Sequence, residues 1–322
     1  MNYKKLSAFI VVFLMSFIIH NIFVIQPALA SDGETKVVLY IMDYVDVSDI
    51  IHADTPNLDK LIKQSGTGLM NVRAKNMNPS SAYMSLSAGA RVGTIANAAL
   101  SYNSDEIVNE LPGIFTTKDS TIKGGEFYAL FTGKSYPDHG VVNIYTEQLK
   151  KISSSYNPVY QIGQIGSWAR EMGLTIAVLG NADSLYSINR NAALLTMDEN
   201  GSTPIGYVSK DLLTTDPTHP GGVRADHKQI LQKFDTLLDS ADILVVDPGD
   251  TTRVESSRIN CADNILTQHR KNAIEKNDLL LGEILSRVNM NNTMMIILTP
   301  NPSNEMLMDN NLGLTPIIMY TP

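Results

Sequence analysis

Five apolar runs constrain this chain more than any other feature. They read KVVLYIMD (36–43), LTIAVLGNAD (174–183), ADILVVDPGD (241–250), TMMIILTP (293–300) and TPIIMYTP (315–322). Each has the Val- and Ile-rich composition of a buried strand. Helical patterns fall between them, over roughly 158–173, 224–239 and 263–288. DTPNLDKLIKQSG (54–66) is punctuated as a helix: Thr55 as cap, Pro56 in the first turn, Leu58, Leu61 and Ile62 as the apolar face, Gly66 as the stop. GLMNVRA (68–74) and NAALLTMD (191–198) read as further strands, and AYMSLSAGA (82–90) as a helix of small residues. Strands alternating with helices predict an α/β fold, a doubly wound and mostly parallel sheet with helices on both faces. The stretch 101–160 breaks the alternation. It is rich in Ser, Asn, Tyr and Gly, with one short strand expected at GEFYALF (125–131), and reads as an insertion over one end of the sheet.

The first thirty residues differ from the rest. Lys4 and Lys5 precede an apolar run from Phe9 to Ile25, and PALA follows, with Ala28 and Ala30 at small-residue cleavage positions. This pattern predicts a signal peptide over 1–30, and an exported protein of the cell envelope or the outside. An uncleaved anchor is the alternative, and would be the only membrane contact. Residues 31–322 then form a single domain. With one cysteine, Cys261, no intramolecular disulfide can form, so an exported domain must rest on its core. The net charge is −8 without a basic stripe, which argues against nucleic acid as a partner.

In sheets of this kind ligands gather beyond the carboxyl ends of the strands. Asp43, Asp183, Asp247 and Asp250 all follow strand-like runs. Asp183 reads as a cap for the next element. Asp43 and Asp247 have the position of ligands for zinc, magnesium or manganese. Asp250 lies three residues on, across the tight turn of Pro248 and Gly249, where it could share a cation, cap a helix or meet Arg253. Ser80 and Ser81 stand where the small-residue helix begins. A helix start suits an anionic group, and a metal-activated hydroxyl there could attack an ester. The plainer reading is an N-cap serine. No glycine-rich dinucleotide fingerprint, phosphate-binding loop, nucleophile elbow or paired-His zinc motif is present in the sequence.

In order along the chain, the strand ending at Asp43, TPNLDKLIKQSGTGLMNVRA (55–74), NPSSAYMSLSAGAR (78–91) and ADILVVDPGD resemble the alkaline phosphatase superfamily, which includes sulfatases, nucleotide phosphodiesterases and cofactor-independent phosphoglycerate mutases. The resemblance spans most of 36–322. It implies an alkaline phosphatase-like fold, Asp43 and Asp247 as metal ligands, and Ser80 or Ser81 as nucleophile. It also implies departures. Asp250 and Thr251 stand where the family has a His, and Pro300 and Asn301 stand where it has an Asp-His pair. The chain stops at Pro322 just after a strand, so a truncated piece and a chain lacking the last part of the site are both expected forms.

Two functions follow. One is an exported metal-dependent hydrolase of phosphate or sulfate esters, acting on a small anionic substrate. The other is a catalytically inactive relative that binds an envelope polymer or protein.

Overall fold

The structure, a computed structural model, describes residues 35–108, 121–156, 161–308 and 313–322. The expected leader lies outside them. The first apolar run forms β1 (Lys36–Ile41), followed by α1 (Val47–His52), α2 (Pro56–Ile62), β2 (Gly66–Met70) and α3 (Ser80–Ala88). The middle holds β3 (Ser101–Asn103), α4 (Gly124–Thr132), β4 (Val141–Asn143) and α5 (Thr146–Tyr156). Next come α6 (Gln164–Glu171), β5 (Ile176–Gly180), α7 (Ala193–Thr196), β6 (Ser202–Thr203), β7 (Ile205–Tyr207), β8 (Leu213–Thr215), β9 (Val223–Ala225) and α8 (His227–Leu238). The last part is β10 (Ile243–Asp247), α9 (Asp250–Ser256), α10 (Asp263–Leu285), β11 (Thr293–Leu298), α11 (Asn304–Met308) and β12 (Thr315–Tyr320).

Seven strands make the main sheet, in the order β2-β12-β11-β1-β10-β5-β7. β11, β1, β10, β5 and β7 run parallel, and β12 is antiparallel to both its neighbours. The expected fold class is therefore the observed one. Every residue of β5 and β10 is buried, because helices cover both faces. The pleat sends alternate side chains of β10 to opposite cores. Leu244 and Val246 pack with Phe234, Ile274 and Leu281 of α8 and α10, and Val245 packs with Met84 and Leu194 of α3 and α7. Residues 35–322 form one compact unit.

Four local expectations are corrected. GEFYALF is not a strand but lies in α4, which buries Phe127 and Tyr128 and ends at Gly133 in the left-handed conformation. NAALLTMD is not a strand but holds the single helical turn α7, buried at every residue. The apolar stretches within them, FYALF and AALL, are short, and such stretches carry no period that separates strand from helix. The expected helix over 158–173 starts only at Gln164, after a left-handed Gly163; residues 157–160 lie outside the described set. The start of α2 also differs. Thr55 makes no side-chain cap bond. Buried Asp278 of α10 instead accepts from the main-chain N–H groups of Asn57 (3.2 Å) and Leu58 (2.7 Å), tying together segments 220 residues apart.

Glycines shape the rim where β5 and β10 end. Gly180 has φ 101°, and a Cβ there would lie 2.0 Å from the Asp247 carbonyl oxygen. Gly249 has φ 74°, and its Cβ would lie 2.1 Å from the Asn181 carbonyl oxygen. Two chain turns thus meet backbone to backbone, which only glycine permits.

Candidate functional site

β1 delivers Asp43 to the carboxyl edge of the sheet, and the chain then turns sharply. Tyr44 has φ 61°, the one non-glycine residue with positive φ among the described residues. The turn is clamped to the loop after β11. Thr299 Oγ1 donates to the Met42 carbonyl (2.9 Å), and the Tyr44 N–H donates to the Asn301 carbonyl (3.1 Å). Asp43 is buried, and donors surround its carboxylate. Oδ1 accepts from the N–H groups of Tyr44 (3.1 Å) and Asn301 (2.6 Å), and Oδ2 accepts from the Tyr83 hydroxyl (2.9 Å) and Asn301 Nδ2 (2.9 Å). Burial still pushes its pKa up to about 6, because these four donors only partly replace water.

Asp247 ends β10 and is also buried. Its one described hydrogen bond comes from the Gly249 N–H (3.0 Å). Burial pushes it up to about 7, the charge of Asp43 adds to the rise, and Arg253 opposes it. The two carboxylates thus repel within one desolvated region. A proton entering the pair belongs on Asp247, since Asp43 has four donors to stabilise its charge and Asp247 has one.

Asp250 opens α9 and meets Arg253 one helical turn on. Oδ1 accepts from Arg253 Nη2 (2.9 Å) and Nε (3.2 Å) and from the Ala225 N–H (3.0 Å). Of the three roles open to it from spacing, the structure places it in the ion pair. Asp183 does not cap a helix either. It pairs with Arg190 (2.9 Å), which also binds Glu106 (2.6 and 2.8 Å).

Both serines lie buried at the start of α3, with different partners. Ser80 Oγ donates to Asn191 Oδ1 (2.6 Å). Ser81 Oγ contacts Asn76 Oδ1 and Thr94 Oγ1 and accepts from the Thr94 N–H (3.0 Å), pinning the loop after the helix. The helix start is already filled. The Ser80 N–H donates to Asn78 Oδ1 (3.0 Å), the Ser81 N–H to the Asn78 carbonyl (2.8 Å), and the Ala82 N–H to the Pro79 carbonyl (3.2 Å). An incoming anionic group would have to displace Asn78 to reach these donors.

A divalent metal does not fit these residues as they stand. Both oxygens of Asp43 face N–H and O–H donors, and Asp250 Oδ1 is held by a guanidinium. Among the described residues, no three His, Cys, Asp or Glu side chains group as a metal would need. Sequence reasoning placed Asp43 and Asp247 at one rim but missed the partners that saturate it. Asn301 was legible only as an oddity after β11, and Tyr83 as one more residue of a small-residue helix.

Beside the rim lies a cleft of about 400 Å³, bordered by Tyr44, Asn78, Pro79 and Asn301. Among the described residues, Arg73, Lys75 and Arg91 also line it, no carboxylate does, and none of the three has an ion-pair partner. In a chain of net charge −8 this is a local reversal of sign. A larger cavity of about 620 Å³ borders Tyr102, Glu106 and Arg190 and touches neither rim carboxylate nor either serine.

No family model matches the chain, and no curated protein matches it. Solved structures do resemble it across 90% of its length. The PH0037 protein from Pyrococcus horikoshii is 14% identical with a TM-score of 0.50, over 86% of that chain. A protein in the alkaline phosphatase superfamily from Vibrio parahaemolyticus is 12% identical with a TM-score of 0.49, and the lipoteichoic acid synthase LtaP from Listeria monocytogenes is 8% identical with a TM-score of 0.46. The chain spans 61% and 66% of these two. At 14% identity the Pyrococcus likeness shows a shared fold, and says nothing of activity.

Proposed function

We propose that this chain is a non-catalytic protein of alkaline phosphatase-like fold that binds an anionic component of the cell envelope in the basic cleft beside its rim. One observation carries the reading. The carboxylate of Asp43, one of the expected metal ligands, is saturated by Asn301, Tyr83 and the Tyr44 N–H. Asn301 stands where the family resemblance implies an Asp-His pair. An amide there closes the carboxylate by donation, where an acid and an imidazole would face a cation. The basic lining of the cleft supports the partner's charge, and export rests on the N-terminal leader pattern.

A second reading, the ester hydrolase, is favoured by the Asp43–Asp247 pair itself. Two buried carboxylates pushed up to about 6 and about 7 are an arrangement that a bound cation would relieve. Elemental analysis separates the two. Purified protein 31–322 and its Asp43→Ala/Asp247→Ala variant are expected to contain no stoichiometric metal and to turn over no aryl phosphate, phosphodiester or sulfate. Metal present in the first and lost in the second would overturn the proposal and restore the hydrolase.

The cleft has its own test. On immobilised heparin, used as a model polyanion, the protein is expected to be retained at low salt despite its net negative charge. Arg73→Glu/Lys75→Glu/Arg91→Glu is expected to flow through, and retention of the wild type should fall as salt screens the contact. Equal retention of both proteins would remove the cleft from the reading.

A further inference from the structure

Arg253 is buried on α9, and its guanidinium sits in a ring of acceptors. Nη1 donates to the main-chain carbonyls of Asn181 (3.0 Å) and Asp183 (3.2 Å). Nη2 donates to the Pro248 carbonyl (2.6 Å) and to Asp250 Oδ1, which Nε also meets. Three carbonyls and one carboxylate therefore converge on a single positive head. They come from the loop after β5, the turn after β10 and the start of α9, the segments brought together by Gly180 and Gly249. More lone pairs wait at the edge. Asp250 Oδ2 is buried with no hydrogen-bond partner, and so is His219 Nε2, 4.0 Å from Asp250 Oδ1. His219 Nδ1 lies 2.8 Å from the Pro220 carbonyl. That contact needs the ring proton on Nδ1 and leaves Nε2 as an acceptor.

Every group around the guanidinium offers electrons, and oxygens dominate. This is the donor set of a hard divalent cation of the calcium class, which takes carbonyl and carboxylate oxygens and completes its shell with water. We infer that Arg253 is the resident cation of the rim: it occupies an oxygen cage that accepts calcium once the guanidinium is removed, and by filling it keeps the rim independent of metal. The inference rests on the metal-free reading of the rim proposed above. It assigns Arg253 a role beyond packing, because a tethered cation cannot dissociate, whereas a bound metal ion can.

The experiment is calcium titration of Arg253→Ala, followed by thermal melting and equilibrium dialysis. The wild type is expected to melt at the same temperature with and without millimolar calcium. Arg253→Ala is expected to melt lower without calcium, to recover part of the loss with it, and to bind about one ion per chain. Arg253→Ala/Asp250→Asn lacks the carboxylate of the cage, and is expected to lose the calcium response. Should Arg253→Ala be unfolded without calcium, the readout is the return of the native circular dichroism spectrum on adding it. A folded Arg253→Ala that ignores calcium, or an unfolded one that calcium does not rescue, overturns the inference while leaving the metal-free reading intact. Stoichiometric metal in the wild type, lost in Asp43→Ala/Asp247→Ala, overturns both.

Discussion

Replacing Arg190 by methionine is expected to destabilise the folded chain by about 3–5 kcal/mol. Arg190 is wholly buried and serves two carboxylates at once. It pairs with Asp183 (2.9 Å), itself fully buried, and binds both oxygens of Glu106. Nη1 also donates to the Ser101 carbonyl (2.9 Å), and the guanidinium lies 5.2 Å from the centre of the Tyr102 ring. Methionine keeps much of the apolar stem but leaves two carboxylates without a counter-charge, Asp183 wholly buried and Glu106 18% exposed at the edge of the larger cavity. The damage comes from those stranded charges more than from lost contacts. Two comparisons separate these causes. Urea unfolding of Arg190→Met should show a loss of this size, a large share of the roughly 5–15 kcal/mol that holds a typical domain. Adding Asp183→Asn and Glu106→Gln should return most of it, because neutral amides cost less to bury. A loss under about 1 kcal/mol for Arg190→Met would mean that the network is solvated in solution.

Asp247→Asn is expected to act in the opposite direction and to stabilise the protein at pH 8, by about 2–4 kcal/mol. The folded chain raises Asp247 from 3.8 to about 7, with burial as the first cause and the charge of Asp43 as the second. A carboxyl raised on folding binds its proton more tightly in the folded state than in the unfolded one. Its burden on stability is therefore complete above the folded pKa and is relieved as pH falls through about 7 towards 3.8. Asp43, raised to about 6, adds a second relief at lower pH. His219 and His227 work against this. Burial lowers both, so the unfolded chain takes up their protons first, and stability is lost below the unfolded histidine range near 6.5. The wild type should gain stability from pH 8 to about pH 7 and level off as the histidines begin to count. Asparagine at 247 can still accept from the Gly249 N–H and cannot ionise, so the gain between pH 8 and 7 should shrink in the variant. Denaturant midpoints across this range give the answer. An Asp247→Asn variant less stable than wild type at pH 8 would mean that Asp247 serves a cation, and would return the rim to the hydrolase reading.

Asp247 was legible in the sequence and its partners were not, whereas Arg190 was not singled out at all. Asp247 closes an unbroken apolar run, so its place at a strand's carboxyl end followed from composition alone. The pairing of Asp250 with Arg253 was within reach for the same reason, since three residues along a helix bring side chains together. Arg190 gave no such signal. Its carboxylates sit 7 and 84 residues before it in the chain, and only the packing of the loop after β3 against the loop after β5 unites them.

The sequence by itself determined the layered sheet, the placing of Asp43 and Asp247 on one edge, and the start of a small-residue helix at Ser80 and Ser81. Those features follow from local periodicity and from the rule that ligands collect at strand ends, and both are written in runs of fewer than a dozen residues. GEFYALF and NAALLTMD show where that local code fails, since a short apolar stretch suits a strand and a helix equally. Only the tertiary structure decided what the rim is. Asn301 reaches Asp43 across 258 residues, and the filling of the α3 start by Asn78 depends on a loop that has no period of its own. Whether a buried carboxylate meets a metal, an amide or a guanidinium is set by which distant side chain the fold brings within 3 Å, and desolvation then makes that one neighbour decide the chemistry.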